Sequence, residues 1–211
     1  MVAGQGPGAD PWCFVAPREM SAGFVVCRRW QDDDADVLLE AVTASLAHLR
    51  PWMPWVVGYD IDGAREFLAR NSPRTTAGGD EPVSDAAYAI CDRAGGILGS
   101  CGLHGRLGAW ALEIGYWVDV RHTRRGVAKL AAALLTETAL TLPGIEHVEI
   151  RHDAANIASG AVPASLGYTH IATITCEPEA PGETGVDFQW RMGRDEFGGS
   201  RAAALLDDAR R

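Results

Sequence analysis

The chain has 211 residues, 47% of them hydrophobic and 22% charged, with a formal net charge of −9 at pH 7. That is the profile of a soluble globular protein with one sizeable core, and its acidity excludes a general binder of nucleic acid or of anionic membrane, which need basic surface. Five scattered cysteines without a CxxC pair argue against a disulfide framework or a zinc site, so no metal is expected; without a signal peptide or a membrane-length apolar run, the expected location is the cytoplasm.

Residues 1–21, rich in Gly, Pro and Ala, read as a flexible leader. Phe24 to Trp30 is a first strand. Asp32, Asp33 and Asp34 open a helix that runs to His48 and ends at Pro51. The segment Arg50-Pro51-Trp52-Met53-Pro54-Trp55 follows. Its tryptophans read either as a plug over the core or as a lip for an aliphatic or amine substrate. A second helix covers Asp60 to Asn71, and a polar loop takes the chain from Ser72 to Pro82. Strands Ala86–Cys91 and Ile97–His104 flank the hairpin signal Asp92-Arg93-Ala94-Gly95-Gly96.

The centre of the chain is Trp110 to Leu142. Leu112, Ile114, Tyr116, Val118 and Val120 alternate with Ala111, Glu113, Gly115, Trp117 and Asp119, the period of a strand. Val127, Leu130, Leu134, Thr138 and Leu142 then mark the buried stripe of a helix. Between them lies Thr123-Arg124-Arg125-Gly126-Val127-Ala128. Backbone N–H groups at a glycine-opened helix mouth favour an anion, so Arg124, Arg125, Gly126, Val127, Ala128 and Lys129, with Arg121 adding charge, are expected to hold a pyrophosphate. After His147–Arg151, a short helix starts at Asn156, and Pro163 should shorten or kink it. Two strands, the second over Val186–Met192, close a single domain of residues 22–193, and 194–211 reads as a polar tail with a helical turn or two. Three antiparallel strands before one βαβ crossover predict a mixed α/β fold of about seven strands with helices on both faces.

Glu113-Ile114-Gly115-Tyr116-Trp117-Val118, the Arg-Arg-Gly-Val-Ala turn, Asn156-x-x-Ser159, Leu166-Gly167-Tyr168 and the tryptophan loop together resemble GNAT-superfamily N-acetyltransferases of the RimJ/RimL ribosomal-protein type. The resemblance spans Phe24 to Met192. Thr123 departs from the Gln/Arg usual at the first turn position. The resemblance implies a twisted, mostly antiparallel sheet with a splayed central strand pair, and acetyl-CoA as co-substrate. Val118 and Val120 would bond its pantetheine arm through main chain, Asn156 would bond it from the next helix, and Ser159 would protonate the leaving thiolate. Glu113, a carboxylate among apolar neighbours, is the expected general base, with Glu149 and Asp119 as rivals. Trp52, Trp55 and His104 are expected at the acceptor, a protein N-terminal amine or a small amine. The competing reading is a non-catalytic acyl-CoA-binding module; a homodimer is left open.

Overall fold

The computed structural model describes residues 13–73, 75–76 and 79–211. Most of the expected leader, residues 1–12, and positions 74, 77 and 78 of the expected polar loop lie outside them. In chain order the elements are β1 (Glu19–Ala22), β2 (Val25–Arg29), α1 (Ala35–Leu49), α2 (Ile61–Asn71), β3 (Thr75–Thr76), β4 (Gly79–Asp80), β5 (Asp85–Asp92), β6 (Ile97–His104) and β7 (Ala111–Val118). They continue with α3 (Val127–Thr141), β8 (His147–Asp153), α4 (Ile157–Leu166), β9 (Thr169–Thr175), β10 (Val186–Gly193), α5 (Arg194–Phe197) and α6 (Arg201–Ala209).

Among the described residues eight strands form one sheet in the order β1-β2-β5-β6-β7-β8-β10-β9, in which only β7 and β8 run parallel. The strand beyond the expected seven is β1, which pairs with β2 from Glu19↔Arg28 to Ala22↔Val25. Phe14 also bridges Val83, so from Phe14 onward the supposed leader is tied to the sheet.

Alternation sends Val25, Cys27, Tyr88, Ile90, Leu103, Leu112, Ile114, Val148 and Ile150 to one face. There they pack with Leu130, Leu134 and Leu135 of α3 into the larger core. On the other face Ala87, Ala89 and Cys91 meet Trp30, Leu38, Val42, Leu49 and Leu68, so α1 and α2 cover β2, β5 and β6. Beyond β6 that second face carries Glu113, Glu149, Arg151 and Arg191.

Two expectations about the C-terminal half are corrected. Pro163 does not shorten α4, which runs on to Leu166. Proline lacks the N–H that the Ser159 carbonyl would accept from, and the Tyr116 hydroxyl replaces it at 3.0 Å. The tail, in turn, is part of the domain. Ala202 and Leu206 of α6 are fully buried, Arg210 pairs with Glu137 of α3, and the Ala209 carbonyl accepts from Gly23 N–H in the β1–β2 turn at 3.1 Å. Among the described residues no helix is long and apolar enough to cross a membrane.

Candidate active site

Two features meet at the C-terminal end of β7. The first is a break in the sheet. β7 and β8 pair only through Ala111↔His147, Leu112↔Val148 and Glu113↔Glu149. Past Glu113 the strands diverge, and among the described residues the β8-facing edge of Gly115 to Val118 has no ladder partner. Buried backbone groups require partners, so this edge is suited to an extended ligand.

The second is the turn into α3. Gly126 caps the helix in the left-handed region (φ 80°) and so offers no side-chain cap to the first-turn N–H groups. Arg124 also has positive φ, 60°, alone among the described non-glycine residues. Such a conformation costs a non-glycine residue about 1–2 kcal/mol, and it turns successive N–H groups toward one side, as an anion-binding concavity requires. Among the described residues Arg124, Arg125 and Lys129 have no acidic partner within salt-bridge distance.

Two expected cofactor residues are withdrawn. The strand stops at Val118, and Val120 lies in a 3-10 turn. Its N–H donates to Ser45 Oγ at 3.0 Å and its carbonyl accepts from Thr123 Oγ1 at 3.1 Å, so its main chain is not open to a pantetheine arm. Arg121 donates to the buried Asp119 carboxylate at 2.6 Å and to Glu40 at 2.8 Å. Burial pushes the Asp119 carboxyl up, but the Arg121 bonds outweigh it and hold the group below the ordinary carboxylate range. Arg121 is thus a clasp between α1 and the turn.

Across the gap, Asn156 caps α4 by accepting from Ser159 N–H at 3.1 Å. Ser159 Oγ lies 3.5 Å from the Tyr116 hydroxyl. Burial pushes the Tyr116 phenol well above its usual range. Tyr116 reaches this side of the gap from β7, on the same strand face as Ile114. Tyr168 is structural, buried against Thr136 with a 2.5 Å hydroxyl contact.

The second sheet face carries the rest. Its cross-strand rungs on β6 and β7 are Ser100↔Trp117, Gly102↔Gly115 and His104↔Glu113. Ser100 and Trp117 border a cavity of roughly 330 Å³ lined also by Trp55, Tyr59, Phe67 and Glu66. Trp55 stands edge-on to Tyr59 at 5.4 Å and lies 6.3 Å from Trp117. Trp55 is therefore a wall of the cavity, whereas Trp52 is not among its lining residues.

Glu113 is 6% exposed. One carboxylate oxygen accepts from Arg106 and the other lies 3.6 Å from Arg151. Arg151 and Arg191 also engage Glu149, at 3.4 and 2.7 Å. The expectation of Glu113 as general base is corrected on this ground: both oxygens face guanidinium groups, making it an anchor in an ion-pair network. Its rivals fare no better, Glu149 lying in the same network and Asp119 under Arg121.

His104 sits on the rung beside Glu113. Its Nδ1 is 2.7 Å from Asp85 Oδ1 on β5. Its Nε2 lies over the glycine rung, since a Cβ at Gly102 or at Gly115 would each stand 3.2 Å from it. Asp85 was missed in sequence because the pairing Asp85↔His104 exists only once the hairpin register is known.

A roof crosses this face. The loop after α1 and the loop between β9 and β10 meet where Gly182 N–H donates to the Pro51 carbonyl at 2.8 Å. Asp153 at the end of β8 holds the second loop by accepting from Thr184 N–H at 2.7 Å and Gly185 N–H at 3.0 Å.

Among solved structures, Mycobacterium smegmatis RimJ in complex with CoA-disulfide is similar, with TM-score 0.73 and 22% identity over 89% of this chain and 90% of that one. The ribosomal-protein-S5-alanine acetyltransferase of Vibrio fischeri gives 0.68 and 14% over 85% and 98%. The microcin C7 self-immunity acetyltransferase MccE, in complex with acetyl-CoA and AMP, gives 0.69 and 14% over 82% and 97%. These likenesses establish a shared fold. No curated protein matches the chain. The model of the acetyltransferase (GNAT) domain family, however, matches residues 25–169, from β2 through the helix mouth and α4 to the start of β9. With well over half of its 211 residues inside that match, the chain belongs to the GNAT acetyltransferase family.

Proposed function

We propose that the protein is an acetyl-CoA-dependent N-acetyltransferase that acetylates a primary amine, either a protein N-terminus or a small-molecule amine, by direct attack in a ternary complex. One observation carries the reading: the sheet opens between β7 and β8 beside an uncapped helix mouth with two left-handed residues, Arg124 and Gly126. The residues present fit the coenzyme. The N–H groups of Gly126, Val127, Ala128 and Lys129, with the Arg124 and Arg125 side chains, would hold the pyrophosphate. The open edge of β7 up to Val118 and the Asn156 amide would hold the pantetheine arm, and a backbone N–H near Val118 would polarise the acetyl carbonyl. The coenzyme supplies the activated thioester. Ser159 would protonate the leaving sulfur, and the cavity under Trp55 would take the acceptor. Three buried thiols, Cys27, Cys91 and Cys101, are consistent with work in a reducing cytoplasm.

The test is calorimetric titration with CoA, followed by thiol release from acetyl-CoA with a panel of alanyl- and seryl-terminated peptides, phenethylamine and aminoglycosides. Binding is expected, with turnover of at least one amine. Binding without any turnover would instead make the protein an acyl-CoA-binding module. The Arg124→Ala/Arg125→Ala double variant should weaken CoA affinity about tenfold, the loss of two phosphate contacts of modest strength.

A further inference from the structure

We propose that the His104–Asp85 pair is the proton acceptor for the attacking amine, a role that rests on the acetyltransferase reading and assigns the base to the acceptor side of the sheet. Three observations place it there. The face of β7 toward α3 is closed by Leu112, Ile114 and the Tyr116–Ser159 contact, so an amine reaches the gap from the opposite face. On that face the rungs run from the aromatic cavity (Ser100, Trp117) through Gly102 and Gly115 to His104 and Glu113. The β7–β8 gap opens immediately after Glu113. His104 Nε2, over the Gly102–Gly115 rung, therefore lies beside the closed end of that gap and one rung from the acceptor cavity.

The local chemistry agrees. Asp85 faces Nδ1 at 2.7 Å and, by accepting its proton, fixes the tautomer that leaves the Nε2 lone pair open. Among the described residues Nε2 has no hydrogen-bond partner. Two glycines in succession across the strands clear a slot for the ring, and any side chain there would crowd the same nitrogen. The charged groups around it are Asp85 on β5, Arg106 in the turn after β6, Glu113 on β7, Arg151 on β8 and, from the β9–β10 loop, Glu179 near Arg106; Glu66 and Arg70 line the cavity from α2. Arg106 and Arg151 neutralise Glu113, so Asp85 is the carboxylate left to stabilise an imidazolium.

The step balances without a further reagent. Nε2 takes one proton from the acceptor ammonium. The neutral nitrogen then bonds to the thioester carbonyl carbon as the C–S bond breaks. The second N–H proton passes to the leaving sulfur, and the imidazolium returns its proton to solvent.

The measurement is the pH profile of kcat/KM for thiol release from acetyl-CoA, using the fastest amine of the panel above. His104→Asn, whose amide can still reach Asp85, should lose about 100-fold or more in kcat, within the range general-base removal produces. It should also lose the acid limb of that profile, with KM for acetyl-CoA within about twofold of wild type. His104→Ala should regain rate with added imidazole, and Glu113→Gln should keep the limb. As a check independent of the variants, nitrogen NMR of the intact protein should find Nδ1 protonated and Nε2 bare at pH 8. If His104→Asn keeps the limb, or Nε2 carries the proton, the pair is not the base although the acetyltransferase reading stands. If wild type turns over no amine, that reading falls and this one with it.

Discussion

Replacing Tyr116 by Phe isolates one hydrogen bond that holds α4 through its internal proline. In the native chain the Ser159 carbonyl cannot accept from position 163 and instead accepts from the Tyr116 hydroxyl at 3.0 Å. Removing the hydroxyl leaves a partly buried carbonyl without a donor. That penalty is about 1–3 kcal/mol for a buried group, and partial exposure puts the expectation at about 1–2 kcal/mol. For a chain of this size the melting midpoint should fall by about 2–6 °C. A double-mutant cycle with Pro163→Ala supplies the control, because an alanine N–H at position 163 can satisfy the same carbonyl. In that background Tyr116→Phe should cost less than about 0.5 kcal/mol, so the coupling should be about 1 kcal/mol. Urea unfolding of the four proteins, followed by circular dichroism, gives the cycle. Additive losses in both backgrounds would refute the claim that the tyrosine substitutes for the missing N–H.

Arg124→Gly should raise the melting temperature by relieving about 1 kcal/mol of left-handed strain, while calorimetry should show weaker CoA binding as one cation is lost. Asp153→Asn should destabilise by about 2 kcal/mol, since charge-assisted bonds to three backbone N–H groups weaken together. Although burial pushes the Asp153 carboxyl up, those bonds hold it below its ordinary value. Its stabilisation is therefore present above about pH 4 and lost as pH falls through the depressed value, so melts of wild type and variant should converge in acid. Deleting residues 198–211 removes the buried Leu206 and exposes the α3 surface beneath it. The loss of about 1.5–3 kcal/mol from the leucine alone should appear as a lower urea midpoint.

The parts of the fold legible in sequence were those with a strong period. β7, α3 and the β5–β6 hairpin stood where alternation, the helical stripe and the Gly95-Gly96 turn put them. β1 was hidden because Glu19-Met20-Ser21-Ala22 is short and half polar, and only pairing with β2 makes it a strand. α6 was read as tail because it is short and set among charged and glycine residues, yet Ala202 and Leu206 fall on one side and bury completely. The turn that opens α3 was readable from Gly126, but the left-handed Arg124 was not, since nothing in an arginine announces that conformation. At the site, Glu113 drew attention as a carboxylate on the central strand. Its neutralisation by Arg106 and Arg151 depends on a turn and a neighbouring strand that local pattern does not place. The His104–Asp85 contact is likewise a matter of hairpin register.

The gap between β7 and β8 divides the sheet into two plates, β1-β2-β5-β6-β7 and β8-β10-β9, which share one short ladder of three residue pairs. A sheet with such a seam is mechanically uneven: its weakest line runs through the centre, not along an edge. Whatever lies along Gly115 to Val118 therefore acts as mortar as well as cargo, lending the two plates the rungs they lack. Amide exchange along that stretch should be fast in the empty protein and slow when CoA is bound, linking occupancy to stiffness across the width of the molecule.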